Sequence, residues 1–334
     1  MNIVEAKRAE SPFLSSQILH ADIADFAEDS VNLKREDAEE YREQVRRLRE
    51  KLDKYAADHP EHGLIKTLLS GSLAKGTALK TLNDIDVAFY VKAGKILSAE
   101  RELLEWLAQR IRDAYPQMKP DQIKANNHSV CIKYAVSGLS VDVVPVQYKG
   151  DPADRGYLFA FDGGEPVLTS IPLHLAFIRK RKAEQKVHFA QVIRLVKWWA
   201  RFQKSKDEAF RMKSFMTEMI ISHLADSGVS MADYPTALEK VFGYIVKSRL
   251  KTRIAFTDYY PASKLPGPTG KPMEVFDPVN ETNNVASVYD DPHRQKIVSA
   301  AQDALEAISE ARFATTRGRA IECWQDVLGP SFRG

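Results

Sequence analysis

The chain has 334 residues, of which 44% are hydrophobic and 28% charged, an ordinary composition for a globular protein with room for two lobes. Its formal net charge of +3 supplies no general field for nucleic acid, so any basic site must be local. Two distant cysteines, Cys131 and Cys323, exclude a zinc spacing or a disulfide framework; the charged start MNIVEAKRAE and the lack of a ~20-residue apolar run point to a cytoplasmic protein without membrane attachment.

Residues 1–32 show no clear period. Ser11-Pro12 marks a turn, and a short helix is expected over 13–26. From about 35 to 58, Tyr41, Val45, Leu48, Leu52, Tyr55 and Ala56 recur at alternating spacings of three and four, which predicts an amphipathic helix. Glu43/Arg47 and Glu50/Lys54 are i,i+4 pairs on its wet side. Arg42, Arg46, Arg47 and Arg49 read as solvated surface, because the interspersed glutamates argue against an RNA-binding face. Pro60 and Gly63 end the element.

The stretch LLSGSLAKGTALKTLNDIDVAFYV, residues 68–91, organises the rest. A strand over 64–69 leads into Gly71-Ser72, a short polar turn, Gly76-Thr77, and a second strand over 85–91 preceded by Asp84. Gly71 and Gly76 lack a Cβ and let backbone approach a bulky anion. Ser72 and the following amides would open a short helix, where phosphate oxygens bind well. Asp84 and Asp86 are two apart on a strand, so both carboxylates share a face. A phosphate cradle followed by co-facial carboxylates suggests a metal–nucleotide site.

Further on, Ser98 is a plausible cap for a helix to 115 with Leu103, Leu104, Leu107 and Ile111 inward. Strands over 130–135 and 139–146 join through Ser137-Gly138. Asp142 lies in the apolar run VDVVPV, where a carboxylate is costly unless paired or bound to metal, and it is the candidate third carboxylate. Residues 151–172 read as a crossing between lobes. Residues 186–204 form the clearest later helix, apolar on two sides, with Arg194, Lys197 and Arg201 as a narrow basic stripe between them. Lys197 reads either as a contact to a triphosphate or as a salt bridge inside the helical lobe. Ser214 is placed as the cap of the next helix and as a second phosphate contact. His174, His188 and His223 lack ligand-like spacing and read as structural. A helix is expected over 236–246, a long proline-rich loop with a job to do over 257–290, and a tail helix over 292–311.

The order Gly-Ser, spacer, Asp-x-Asp resembles the polymerase β-like nucleotidyltransferases. With SVDVVPVQY, QVIRLVKWWARFQ, the SF of KSFMTEM and VFDPVNETNNVA in one order over 70–288, the chain is similar to the bacterial relatives of cyclic GMP-AMP synthase and oligoadenylate synthase, the cyclic oligonucleotide synthases of anti-phage signalling. The resemblance implies an α+β fold: a mixed-sheet nucleotidyltransferase core, placed here at 1–165, and a helical lobe at 166–334 closing the cleft. It implies Asp84, Asp86 and Asp142 as catalytic metal ligands for two Mg²⁺, with Mn²⁺ as a substitute. Gly71, Ser72, Lys197 and Ser214 match its donor-phosphate contacts, and Phe215 stands where relatives carry an aromatic against the donor base. NTPs with ATP among them would be substrates, a regulatory protein partner has a place, and a monomer without nucleic-acid activator is expected. The rival readings are a linear oligoadenylate synthase, a CCA-adding or RNA-tailing enzyme, which needs an extended basic surface, and a non-catalytic nucleotide sensor, which has no need of three converging carboxylates.

Overall fold

A computed structural model describes residues 17–82, 84–92, 100–148, 150–159 and 166–334, the side chains of 100 and 101 excepted. The chain opens with α1 (His20–Phe26), continued by one π-helical turn (Ala27–Val31). Then comes α2 (Arg35–Asp58), whose Val45, Leu48, Leu52 and Ala56 are buried as the stripe predicts. On its wet side Glu43 pairs with Arg47, while Glu50 takes Arg46 rather than the expected Lys54.

A mixed sheet follows: β1 (Leu64–Leu69), β2 (Asp84–Lys92), β3 (Ile123–Ala125), β4 (Val130–Lys133) and β5 (Ser140–Tyr148), in the order β1-β2-β5-β4-β3. Between β1 and β2 lies the five-residue helix α3 (Gly71–Lys75). Between β2 and β3 lies α4 (Glu100–Ala114), with Leu103, Leu104, Leu107 and Ile111 buried; Ser98 lies outside the described residues. β1 and β2 are antiparallel, β2 and β5 parallel, β5 and β4 antiparallel. Parallel pairing needs a crossover, here made by α4 and the β3–β4 hairpin. The expected crossing at 151–172 carries two three-residue strands, β6 (Gly156–Leu158) and β7 (Val167–Thr169), which extend the sheet from β5. Too short to show a period, they left no pattern in the sequence.

The helical lobe contains α5 (Ile171–Lys206), α6 (Ser214–Asp226), α7 (Tyr234–Ser248), α8 (Asp291–Phe313) and α9 (Arg317–Leu328). The helix expected from 186 starts at 171 instead. It is broken at Lys186, whose φ of +54° and ψ of −140° interrupt it, and the apolar pattern restarts there. The loop expected over 257–290 is present. Its Asp277 and Asn284 side chains accept backbone amides of Val279, Val275 and Ala286, so the DPVNETNNVA run folds on itself. The residues pack into a sheet-side core (Val45, Leu48, Val87, Phe89, Val141) and a helical core around Trp199 and Phe242. Ile18 to Val31 belong to the helical core, so the N-terminal segment packs with the second lobe although it precedes the first. Cys131 and Cys323 are free and buried. Among the described residues no helix is long and apolar enough to cross a membrane.

Candidate active site

The β2–β5 register sets Asp84 opposite Ser140 and Asp86 opposite Asp142. Period two along β2 carries Asp84 and Asp86 to one face, and Asp142 meets that face from the neighbouring strand. The phosphate-loop helix closes on the same point. Gly71 has a φ of +66°, and a Cβ there would stand 1.9 Å from Asp86 Oδ2, so only glycine fits both the backbone and the neighbour. Gly76 is left-handed and ends α3, with Thr77 N–H donating to Ser72 O at 2.9 Å.

Burial pushes the Asp86 carboxyl up to about 6, the charge on Asp142 adding and Lys75 opposing. Burial also pushes Asp142 above its ordinary value, against the pull of Ser129 and with the help of Asp84. Asp142 Oδ1 is buried with no hydrogen-bond partner among the described residues. An orphaned carboxylate oxygen beside a second crowded carboxylate is a donor set short of a cation, and all-oxygen ligation suits Mg²⁺. The residues therefore fit a divalent ion. They are not drawn tightly together: among the described residues the one trio with donor atoms all within 4.8 Å is His59, Glu61 and His62, in the turn before β1. There Arg110 Nη1 lies 3.0 Å from His62 Nε2, putting a guanidinium where a metal would sit.

Asp86 lines two cavities. One of about 720 Å³ is lined by Asp86, Asp142 and the hairpin residues Asn126 to Ser129. The other, of about 170 Å³, is lined by Gly71, Lys75, Asp86, Leu158 and His174. His174, expected to be merely structural, thus faces the site. Asp277 Oδ1 holds its Nε2 at 2.8 Å, which is one job of the long loop. The Phe215 ring stands edge-on to it at 5.3 Å.

The basic stripe of α5 is tied down along its length. Lys197 is 7% exposed, and its Nζ donates to Glu218 Oε1 at 2.7 Å and to Thr77 Oγ1 at 3.0 Å. Of the two readings open for Lys197, the structure forms the salt bridge to Glu218 inside the helical lobe. Arg194 donates to Gly76 O at 2.6 Å and Arg201 to Thr81 Oγ1 at 2.8 Å. The whole stripe grips the backbone and hydroxyls that follow the phosphate loop. Ser214 is exposed and begins α6, while Lys213 occupies the cap position. Two residues were missed in the sequence. Lys75 donates to Glu218 Oε2 at 2.8 Å and lines the smaller cavity. Glu218 is 2% exposed. Its signal was available: a charge inside the apolar run FMTEMII, the argument that picked out Asp142.

A mixed sheet that brings a glycine loop and paired aspartates to one edge, capped by helices, defines a nucleotidyltransferase. The family model for the second messenger oligonucleotide or dinucleotide synthetase domain matches residues 18–158. Cyclic AMP-AMP-AMP synthase of Escherichia coli strain MS 115-1 is 48% identical over 315 residues, covering 94% of this chain and 98% of that protein. Two solved structures of E. coli MS115-1 CdnC, with ATP and in complex with HORMA-deltaN, superpose with TM-scores of 0.91 and 0.90. Each is 47% identical and covers 95% of this chain and 99% of the other. The chain belongs to the second messenger oligonucleotide synthetases, and it is a nucleotidyltransferase that makes a cyclic oligonucleotide of anti-phage signalling.

Proposed function

We propose that this enzyme joins ATP into cyclic AMP-AMP-AMP with release of pyrophosphate. The carrying observation is the β2–β5 register, which faces Asp86 with Asp142 while Gly71 packs against the Asp86 carboxylate. That contact sets the phosphate loop directly beside the crowded carboxylates. The 48% identical relative named for this product supports the choice of base and ring size.

Asp84, Asp86 and Asp142 would hold two Mg²⁺. Bound there, the ions would lower the pKa of the attacking hydroxyl and offset charge on the entering and leaving oxygens. The smaller cavity takes the donor phosphates. Gly71 admits its phosphates to the backbone, Ser72 and Ser214 donate hydroxyls, and Phe215 with His174 flanks the base. Lys75 supplies the ammonium at that cavity, and Lys197 acts at one remove through Glu218. The larger cavity, on the Asp142 side, takes the acceptor, so the two nucleotides meet across Asp86, aligned without a protein nucleophile. We further propose a HORMA-type protein as the regulatory partner, supported by the complex of the similar CdnC.

The test is incubation with four labelled NTPs and Mg²⁺, with and without a HORMA-type protein, then phosphatase treatment and mass spectrometry. A resistant product with the mass of a three-AMP ring, from ATP alone, is expected. Nucleotide addition to tRNA 3′ ends as the only activity overturns the reading.

A further inference from the structure

Glu218 interrupts the apolar face of α6, and two cations from different lobes converge on it. Lys75, the last residue of α3, donates to Oε2 at 2.8 Å, and Lys197 of α5 donates to Oε1 at 2.7 Å. Thr77, fully buried, donates its hydroxyl to Oε1 at 3.0 Å and accepts from Lys197 at 3.0 Å. Stability alone does not call for this arrangement. A buried ion pair is near neutral against apolar packing of the same volume, and Lys197 by itself would neutralise the carboxylate. The second lysine is the one that reaches the small cavity beside Gly71 and Asp86, with its Nζ 4.8 Å from the centre of the Phe215 ring. The loop it leaves is gripped again at Gly76 O by Arg194 and at Thr81 by Arg201. Several side chains of α5 and one carboxylate from α6 thus converge on a single short stretch.

We infer that Glu218 is a positioning residue for the donor nucleotide: through it the helical lobe aims the Lys75 ammonium at the donor phosphates and fixes the 71–77 loop against Asp86. The inference rests on reading the smaller cavity as the donor site. Each carboxylate oxygen has its own partners, so the loop cannot slide along α6 without stranding a buried charge. Removing the Glu218 charge would not simply make the site more attractive to phosphate. Burial draws the Lys197 ammonium down and Glu218 lifts it, so neutralising Glu218 also weakens the hold of Lys197 on its proton. At the small cavity the Lys75 ammonium remains, and what is lost is its aim.

The test is a double-mutant cycle read as binding. Affinities for magnesium tripolyphosphate and for a non-hydrolysable ATP analogue are measured by calorimetry on folded wild type, Lys75→Met, Glu218→Gln and the double variant, each with its melting temperature. Each single change is expected to weaken both probes about 10-fold and the double change also about 10-fold, where independent sites would give about 100-fold. Additive losses overturn the inference. So does a Glu218→Gln protein that melts lower but binds both probes as wild type does in its folded fraction. If Glu218→Gln does not accumulate folded, Thr77→Val, which removes one bond to Oε1, goes through the same cycle under the same criteria. Wild type that binds the analogue and yields no cyclic product counts against the proposed function alone. Wild type that binds neither probe overturns both.

Discussion

Glu218, fully buried, and the half-buried pair Asp86 and Asp142 both adjoin the 71–77 loop, and they are in opposite electrical states. Glu218 has two lysines and a hydroxyl on it; burial works to push its pKa up, but Lys75 and Lys197 outweigh that and hold it at about 2. Asp86 and Asp142 face each other across a parallel strand pair, both displaced upward, with one oxygen of Asp142 unpartnered among the described residues. Unpaired charge in an interior is costly, so a protein that satisfies one carboxylate so fully has the means to satisfy the others. Left short, they fit a cation supplied from outside the chain. A carboxylate displaced upward with no internal partner points to a site built for an outside ligand.

The largest effect expected breaks this contrast at Asp86. Asp86→Asn should lower turnover by at least ~10³-fold while raising the melting temperature of metal-free protein above pH 7, since one crowding charge is gone. Wild-type turnover by that variant would end the comparison. At the other set the sign of the stability change reverses. Glu218→Gln strands two ammoniums and should destabilise by about 3–5 kcal/mol, read from urea midpoints at pH 7. A change below the error of that measurement would make the two sets alike.

The pH profile sharpens the same contrast without mutation. The folded protein holds the Asp86 proton up to about pH 6, while the ordinary value is 3.8. Above pH 6 this group therefore destabilises metal-free protein, by about 3 kcal/mol at most, and the penalty is relieved as pH falls from 6 toward 3.8. Glu218 runs the other way: its stabilisation is complete above 4.5 and is lost as pH falls toward 2. Urea midpoints in EDTA should thus rise on acidification from pH 7 to about 5 and then fall, and Mg²⁺ should flatten the rise. A monotonic fall in EDTA would remove Asp86 as a strained group. The smallest effect concerns the contact between loop and carboxylate. In Gly71→Ala the new methyl must displace Asp86 Oδ2, and a shift of that order should slow turnover about 10²-fold, measured at saturating ATP.

The sheet and the three aspartates were legible because they rest on local pattern. Period two puts Asp84 and Asp86 on one face, and the apolar run around Asp142 makes its charge conspicuous. The α2 stripe was legible for the same reason, twenty-four residues of it carrying the helical period. Partners were not. Lys197 was placed on a buried stripe, but nothing near it in the chain says that Glu218 and Thr77 wait at the far end of its side chain. Arg194 and Arg201 likewise find Gly76 and Thr81 only once the lobes have met. β6 and β7 are too short to carry a period, and α9 (Arg317–Leu328) lay in a tail where no element was expected. His174 had no ligand-like spacing, because its partner Asp277 is more than a hundred residues away.

The parallel pairing of β2 with β5 bears on when, during synthesis, the chain can become active. β1 and β2 are sequence neighbours and can zip together as the chain emerges, presenting Asp84 and Asp86 early. Asp142 cannot join them until α4 and the β3–β4 hairpin have been made and docked, because a parallel partner must be reached by a crossover and such long-range pairing forms slowly. Glu218 is translated later still, and until α6 packs Lys75 lacks the carboxylate that holds its ammonium. A nascent or truncated chain therefore carries fragments of the site and none of its alignment. For an enzyme whose product is an alarm, that order of assembly keeps half-made copies silent.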